Sequence, residues 1–349
     1  MVKEDKYIPR IAIYTLGCKL NQSESGEISS DLKEKGFYMV EPGGGFDVLI
    51  INTCTVTHVA DRKARRLISS ARGHNPGAVI IATGCLAERS PEDIKTKGGV
   101  DLVLGNEEKG KIPDIIENLI GAGNLLHTGR TATICPEKKH TRALVKIQIG
   151  CSQTCTYCIV PSVRRNVHSV RPDDVIKRIK DLEAQGHKEI VLTGSNIGSY
   201  NYEHTDLVTL IEGILENTSV QRLRLTSLQP QEITDELLNL WRKPRVCSHL
   251  HIPLQSGHDS VLSRMKRRYT ADKYIAAVQK ARQAVPDLSV TTDVIVGFPG
   301  ETEDEFNGTI ELCRKMGFSR THVFPFSQRP GTAAALMTGQ IGNDLKKER

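Results

Sequence analysis

The segment Ala143–Pro161, ALVKIQIGCSQTCTYCIVP, joins an apolar strand to a loop with three cysteines. Val145, Ile147 and Ile149 alternate with other residues, and this two-residue period is typical of a strand. Gly150 ends the pattern, and the cysteines begin at the next position. Binding sites of α/β domains lie at the carboxyl ends of parallel strands. We therefore interpret this segment as the start of an α/β domain with its site in the loop.

The three thiols of the loop, Cys151, Cys155 and Cys158, have the spacing C-x3-C-x2-C. Only a soft metal or a metal cluster gathers thiolates so closely. Zinc usually takes a fourth protein ligand. An iron–sulfur cubane can instead accept three thiolates and leave one iron open, although ligation of a cubane by four cysteines is commoner. The spacing therefore predicts a [4Fe–4S] cluster with one vacant iron. A loop of unligated thiols is the alternative.

The overall composition indicates a globular protein of two domains. Its 349 residues allow two cores of ordinary size, and 38% hydrophobic with 25% charged residues argue against extensive disorder. No apolar run reaches the length of a membrane span, and the N-terminus lacks the apolar core of a signal peptide. We expect a cytoplasmic protein whose nine cysteines are metal ligands or plain thiols. The net charge of +6 agrees with a polyanionic partner.

The N-terminal part, residues 1–130, alternates apolar strands with helices. This pattern predicts a doubly wound parallel-sheet domain of the α/β class. The predicted strands are Ile8–Leu16, Phe46–Ile51, Ala78–Thr83 and Leu102–Gly105, and the predicted helices are Ser23–Lys35, Val56–Arg72 and Gly110–Ile120.

Cysteines follow the first three of these strands, at Cys18, Cys54 and Cys85. The carboxyl ends of parallel strands share one edge of a sheet, so these thiols should converge. Helix N-termini nearby would also favour the thiolate form. The pattern predicts a second three-thiolate cluster, with three small buried side chains as the alternative.

The C-terminal part, residues 143–349, contains six consecutive strand–helix units. The predicted strands are Ala143–Ile149, Glu189–Thr193, Val220–Thr226, His249–Leu254, Leu288–Val296 and Thr321–Phe326. Consecutive βα units of one handedness curl toward a barrel, so we predict a partial (βα)6 TIM-like barrel. The polar, basic stretch 131–142 before it is predicted to be a linker, and Cys135 within it an ordinary thiol.

An open-iron cluster loop after the first strand of such a barrel resembles the radical S-adenosylmethionine (SAM) enzymes. The resemblance implies that SAM binds the vacant iron and is cleaved there by one electron, with Cys151, Cys155 and Cys158 as catalytic cluster ligands. It also implies SAM contacts in the loop and at later strand ends: Tyr157, Gly194, Ser195, Asn196, Thr226, Ser227, Gln255, Val296 and Gly297. Turns and helix caps are the alternative interpretation of these positions, and Glu301 could serve the first turn of a helix.

Short strings throughout the chain resemble a narrower family, the methylthiotransferases. They are Thr15–Asn21 (TLGCKLN), Asn52–Thr57 (NTCTVT), Gly84–Cys85, Leu254–Gly257 (LQSG), Gly297–Thr302 (GFPGET) and Arg329–Thr332 (RPGT). The first two strings are most similar to the branch that acts on N6-threonylcarbamoyladenosine in tRNA. The isopentenyladenosine branch tends to have Gly-Cys-Gln-Met-Asn, and the ribosomal-protein branch Gly-Cys-Pro-Lys-Asn.

This resemblance implies a tRNA-modifying transferase with two [4Fe–4S] clusters and SAM. Cys18, Cys54 and Cys85 would hold an auxiliary cluster that carries sulfur, and a methylthio group would move to C2 of N6-threonylcarbamoyladenosine at position 37, beside the anticodon. A flavodoxin or ferredoxin would donate electrons; the sulfur donor is left open. The alternatives are isopentenyladenosine or a ribosomal-protein aspartate as substrate, and a non-catalytic iron–sulfur electron-transfer or carrier protein. Structural zinc, with Cys247 or Cys313 as fourth ligand, is a further alternative.

RNA binding is expected to depend on basic side chains within these two domains. The resemblance implies a small C-terminal β-barrel RNA-binding domain, and we expect it to be absent after Arg349. Arg164 and Arg165, close to the cysteine loop, are the candidates for tRNA phosphates. The basic runs Arg62–Arg66 and Lys266–Tyr269 are interpreted as solvated faces. The expected tRNA binding is weak and salt-sensitive.

Overall fold

The structure, a computed structural model, describes residues 8–43, 45–97, 99–121 and 141–349. Its contacts divide the chain into two compact units. Unit 1 comprises residues up to Lys139 together with Ser162–Arg164, and unit 2 comprises His140–Pro161 and Arg165–Arg349. No helix of the described residues is long and apolar enough to cross a membrane.

The predicted linker, residues 131–142, lies almost wholly outside the described residues, as does Cys135. Only its last two positions are described, and Arg142 is the first residue of a strand rather than linker.

Unit 1 is a parallel sheet with helices on both faces. Its described strands are β1 Arg10–Thr15, β2 Tyr38–Val40, β3 Val48–Thr53, β4 Val79–Gly84 and β5 Leu102–Val103, and its helices are α1 Lys19–Glu34, α2 His58–His74, α3 Cys85–Arg89, α4 Pro91–Lys97 and α5 Ile112–Gly121. The strand order is β2-β1-β3-β4-β5. Leu49 and Ile51 of β3 pack into one core, and Val48 and Ile50 into another. Both faces are therefore buried, and the predicted doubly wound sheet is confirmed.

Unit 1 differs from the sequence prediction in the short helices α3 and α4, which have no predicted counterpart, in strand β2 and in the start of α1. The sequence does not predict β2, which is three residues long and pairs with β1 at the edge of the sheet. Helix α1 begins at Lys19 rather than Ser23, so that Cys18 occupies its N-cap position. Helix caps are usually Ser, Thr, Asp or Asn, so a cysteine cap carries no signal in the sequence.

Unit 2 contains six parallel strands that follow one another in chain order. Its described strands are β6 Arg142–Ile149, β7 His168–Ser169, β8 Glu189–Gly194, β9 Asn201–Tyr202, β10 Thr205–Asp206, β11 Arg222–Leu225, β12 His249–His251, β13 Ser289–Val296 and β14 Arg320–Pro325. Strands β6, β8 and β11 pair in that order, β12, β13 and β14 do likewise, and a bridge between Ser227 and His251 joins the two sets. Parallel strands in chain order make an incomplete βα barrel, and the predicted fold class is confirmed.

The described helices that accompany these strands are α6 Val160–Val163, α7 Pro172–Ala184, α8 Leu207–Asn217, α9 Asp235–Asn239, α10 Asp259–Arg264, α11 Ala271–Ala284, α12 Glu303–Met316 and α13 Asn343–Glu348. One face of the sheet packs against α7, α8 and α11 through an apolar core that includes Ile147, Leu192, Leu223 and Leu250. Side chains alternate along a strand, so the intervening residues lie on the opposite face, here called the inner face. They include Lys146, Thr193, Arg224, His251, Asp293 and His322.

Candidate active site: two cysteine triads

Three cysteines of unit 1 follow neighbouring strands. Cys18 comes after β1, Cys54 comes directly after β3, and Cys85 starts α3 directly after β4. Strand β3 lies between β1 and β4, so the three strand ends lie side by side on one edge of the sheet. The sequence predicts this placement, and we call these residues the N-terminal triad.

Two glycines let the loops of the N-terminal triad approach one another. Gly17, with φ +110, precedes Cys18, and a methyl group added to it would lie 2.6 Å from Cβ and 3.0 Å from Sγ of Cys54. Gly84, with φ +92, precedes Cys85, and a methyl group there would lie 2.7 Å from the backbone nitrogen of Thr53. Any larger residue would separate the thiol-bearing loops, and its side chain would be strained at these φ angles.

Asn21 ties two of these loops together. Its buried amide Nδ2 donates to the carbonyl oxygens of Leu16 and Thr53, at 2.9 Å in each case. Its Oδ1 accepts a weak bond from Sγ of Cys18 at 3.9 Å. The sequence marks Asn21 only as part of a family string, because this role depends on Thr53, a residue of another strand.

Burial controls the charge state of two of these thiols, Cys54 and Cys85. It raises the pKa of Cys54 to about 12, and the nearby Cys85 and Cys18 add to the effect, although a backbone hydrogen bond at Val56 opposes it. Burial also raises the pKa of Cys85. Thiolates at this edge therefore require a positively charged partner, such as a bound metal centre.

The donor set of the N-terminal triad, three cysteine thiols, fits an iron–sulfur cluster. No group of three or more Cys, His, Asp or Glu side chains in the described ranges forms a site for one metal ion. A cubane makes a different demand, because each thiolate binds a different iron. Three soft donors on one edge are compatible with that demand.

The second group of thiols, here called the loop triad (Cys151, Cys155 and Cys158), follows β6 in unit 2. The backbone of Thr156 anchors this loop: its N–H donates to the carbonyl of Met265 at 3.1 Å, and its carbonyl accepts from the N–H of Ala334 at 2.8 Å. Burial raises the pKa of Cys158 to about 12 and raises that of Cys151, and the charges of neighbouring triad thiols add to both shifts. These thiols also need a cationic partner to ionise.

Arg267 contacts the loop triad directly, which corrects the interpretation of Lys266–Tyr269 as a solvated face. Its Nη1 lies 3.3 Å from Sγ of Cys155 and 3.4 Å from the hydroxyl oxygen of Tyr157. The same guanidinium donates to Gln229 and lies over the ring of Tyr269, 4.9 Å from its centroid. A guanidinium beside a cluster ligand stabilises negative charge on that sulfur.

The residues predicted to contact SAM lie at the carboxyl ends of neighbouring strands of unit 2, at the same edge as the loop triad. Ser195 follows β8, and its hydroxyl accepts from the N–H of Gly150 at 3.1 Å. The N–H of Asn196 donates to Oε1 of Gln148 at 2.9 Å. Thr226 and Ser227 follow β11, and Gln255 follows β12 with φ +65. Val296 ends β13, and Gly297 follows it. Tyr157 packs against the apolar cluster of Phe298 and Phe326. Their role toward SAM stays a prediction.

The turn after β13 is held by the C-terminal helix. Glu301 accepts from the N–H of Gly297 at 2.7 Å and from Nη1 of Arg349 at 2.7 Å. Thr302, rather than Glu301, caps α12, together with Glu305 in a reciprocal capping box. The acidic residues in the first turn of α12 are Glu303, Asp304 and Glu305, so the alternative that Glu301 serves this first turn is not met.

Arg164 is not an exposed phosphate ligand, contrary to the sequence expectation. It is 4% exposed, and its guanidinium donates to both carboxylate oxygens of Glu24, at 2.6 and 2.9 Å, and to Oδ1 of Asn21 at 2.8 Å. A buried guanidinium with these partners cannot reach a phosphate without breaking them. Arg165 is exposed and stays a prediction.

The inner face of unit 2 carries a group of basic side chains beside apolar Val191 and Leu144. Glu189 accepts from Arg224 at 2.7 Å, from Arg222 at 2.9 Å and from Arg142 at 2.8 Å. Burial raises the pKa of Glu189, but the three arginines outweigh it and hold the pKa at about 2. Three guanidinium groups around one ionised carboxylate leave this part of the face net positive.

Farther along the inner face lies a group of histidines. Nε2 of His251 lies 3.2 Å from Oδ2 of Asp293, and its Nδ1 lies 2.9 Å from the hydroxyl of Thr291. The ring of His322 is 6.2 Å from that of His251. Hydrogen-bonding groups on a face that other βα barrels fill with aliphatic side chains indicate a polar binding partner.

Comparison with known families matches both units. The radical SAM superfamily matches residues 145–313, and uncharacterized protein family UPF0004 matches residues 10–105.

Curated relatives extend the match to nearly the whole chain. The threonylcarbamoyladenosine tRNA methylthiotransferase MtaB of Bacillus subtilis is 40% identical over 97% of this chain and 78% of the relative. The protein with the same description from Thermotoga maritima is also 40% identical, over 97% and 80%. The tRNA-2-methylthio-N(6)-dimethylallyladenosine synthase of Frankia alni is 36% identical, over 97% and 71%.

Solved structures support the fold. The radical SAM methyltransferase TsrM from Kitasatospora setae has a TM-score of 0.67 at 13% identity, covering 95% of this chain and 74% of that chain. The cobalamin-dependent radical SAM enzyme OxsB has a TM-score of 0.62 at 13% identity, covering 98% and 56%.

Proposed function

This chain belongs to the radical SAM methylthiotransferase family, and we propose that it transfers a methylthio group to C2 of N6-threonylcarbamoyladenosine at position 37 of tRNA. Membership of the family makes it an enzyme of tRNA methylthiolation that uses SAM and [4Fe–4S] clusters. The observation that carries the proposal is the presence of a thiol triad at the carboxyl edge of the sheet in each unit.

The two triads would hold two clusters. The loop triad would hold the cluster that binds SAM, and the N-terminal triad the auxiliary cluster. Bound there, clusters and SAM supply the one-electron and sulfur chemistry that an unactivated aromatic C–H bond requires and that side chains cannot provide. The chain's own residues Gly17, Asn21 and Thr156 would hold the loops that carry the thiols in position.

The chemistry of the inner face supports threonylcarbamoyladenosine as the substrate. The threonylcarbamoyl group ends in a carboxylate and a hydroxyl, whereas the dimethylallyl group is apolar. A carboxylate that pairs with a cation such as Lys146 gains about 1.5–3 kcal/mol, roughly ten-fold or more in affinity. An apolar group there would instead displace water from polar side chains without replacing its hydrogen bonds.

The remaining interactions are proposed on the same basis. The partner is tRNA, bound at its anticodon loop and contacted by Arg165 at a phosphate. A flavodoxin or ferredoxin would supply electrons, and the cytoplasm would be the site of action because tRNA is modified there.

Mass spectrometry of tRNA nucleosides tests the proposal. A host that lacks the gene should lose 2-methylthio-N6-threonylcarbamoyladenosine and regain it with the wild-type chain. Cys155→Ala should not restore it, whereas Cys313→Ala, a matched thiol outside both triads, should. Loss of 2-methylthio-isopentenyladenosine instead would assign the other tRNA branch.

The carrier alternative makes a separate prediction for the purified, reconstituted protein. A carrier would bind iron and sulfide but would not cleave SAM. Formation of 5′-deoxyadenosine from SAM under reducing conditions, absent in Cys155→Ala, would exclude it; no product from the wild-type chain would contradict the proposed function.

A further inference from the structure

Three charged side chains are buried together beside the N-terminal triad. Glu24 pairs with Arg164, Nη1 to Oε1 at 2.6 Å, and with Nζ of Lys109. The side chains of Glu24, Lys109 and Arg164 are 4%, 8% and 2% exposed. Burying charge is costly unless it is balanced, and this group contains two cations and one carboxylate. Burial lowers the pKa of Lys109, and the charge of Glu24 opposes that shift. With Lys109 protonated, the group carries one positive charge in excess.

This charge group lies within electrostatic reach of the thiols. The charges of Arg164 and Lys109 lower the pKa of Cys85 against the larger effect of burial. A direct chain of contacts also exists, because Oδ1 of Asn21 accepts from both Arg164 and Cys18. The excess positive charge therefore lies close to the three cysteines that would be thiolates when they bind a cluster.

The other charged pair near the triad is balanced. Asp61 lies close enough to Cys54 to influence its pKa, and Nη1 of Arg89 pairs with Asp61 at 3.1 Å. Between these two groups, the single excess charge belongs to Glu24, Lys109 and Arg164.

We infer that Lys109 and Arg164, oriented by Glu24, are the counter-charge of the auxiliary cluster. An oxidised cubane core carries two positive charges and three thiolates carry three negative ones, so the ligated cluster has one negative charge in excess. The buried group supplies one positive charge to match it. Net charge around a cluster is one determinant of its reduction potential. The inference rests on the proposed function only in assigning a cluster to the N-terminal triad.

The test isolates that cluster. In a full-length variant with alanine at Cys151, Cys155 and Cys158, only the N-terminal triad can bind a cluster. Iron content is measured first, and the midpoint potential is then measured by redox titration followed by electron paramagnetic resonance. Iron absent from this background would contradict the assignment of the cluster, and therefore the proposed function, rather than the role of the charges.

The charge variants should shift the midpoint potential in opposite directions. Lys109→Gln and Arg164→Gln should shift the midpoint potential to more negative values, because they remove positive charge. Glu24→Gln should shift it to more positive values. Lys35→Gln, which removes a positive charge from a surface ion pair of the same unit, is the matched control and should cause no shift.

A purely structural role gives a different result. All three buried variants would then lose iron, or their midpoint potentials would all shift in one direction, and either result overturns the inference. A midpoint potential that is unchanged in all three variants overturns it as well. The double variant Glu24→Gln with Lys109→Gln keeps the net charge of the native group, and should keep the native potential even where Glu24→Gln alone does not fold.

Discussion

Replacing Gly17 by alanine tests whether the loop of Cys18 must lie directly on Cys54. The added carbon would lie 2.6 Å from Cβ of Cys54, whereas ordinary contact begins at 3.4 Å, so the two carbons must separate by a further 0.8 Å, the difference between these distances. Overpacking of this kind costs about 1–3 kcal/mol, and the positive φ of +110 adds about 1–2 kcal/mol for any L residue. We expect a loss of about 3 kcal/mol in the free energy of unfolding.

A second glycine separates backbone strain from the steric contact. Gly36 also has positive φ, +82, but a methyl group added there has no atom within 4 Å. Gly36→Ala should therefore cost only the strain, about 1 kcal/mol. Unfolding in urea measures both variants, and iron content in the background that lacks the loop triad measures the effect on the N-terminal triad.

The two variants should differ in iron as well as in stability. Gly17→Ala moves a cluster ligand and should lose most of the iron, whereas Gly36→Ala should retain it. Equal free energies of unfolding, with full iron in both variants, would show that the Cys18 loop does not need to contact Cys54.

Two further predictions concern unit 2. Arg267→Gln removes a charged hydrogen-bond donor from a cysteine sulfur. If reduction strengthens that hydrogen bond by about 1 kcal/mol, the midpoint potential of the loop-triad cluster should fall by about 40 mV. Exposed Arg268→Gln is the control, and an unchanged potential in Arg267→Gln would contradict the prediction. The hydrogen bonds from Arg264 hold the pKa of Glu305 at about 2, below the unfolded value of about 4.3. The ionised Glu305 carboxylate therefore stabilises the fold fully above pH about 4.3, and this stabilisation is lost as the pH falls toward 2. Glu305→Gln should lower the free energy of unfolding in urea by about 1 kcal/mol at neutral pH, and this difference should shrink over that pH range. Exposed Glu311→Gln should cost nothing, and a cost for Glu305→Gln that is independent of pH would refute the role of its charge.

Much of the fold follows from local patterns. Fully apolar runs such as Val48–Ile51 are typical of strands buried on both faces, and the structure places them so. Strand β2 escaped prediction because three residues carry too little pattern to distinguish a strand from a loop. The six units of the C-terminal part were predictable because each combines an apolar strand with an amphipathic helix.

The charged residues near the triads were harder to interpret. Arg164 and Arg267 stand in basic runs, which are solvated in most proteins. Each instead contacts a partner far along the chain: Arg164 pairs with Glu24, 140 residues away, and Arg267 lies beside Cys155, 112 residues away. No local pattern reports such pairing.

The amino-acid sequence alone therefore determines the strand–helix alternation, the C-x3-C-x2-C loop and the position of a thiol after each of three strands. These depend on periodicity and spacing, which act over a few residues. Only the tertiary structure decides which cations are buried, and hence the charge that each triad experiences. That decision depends on Glu24, Lys109 and Arg164 meeting in space, and the energy of a charge depends on the burial and partners that folding gives it.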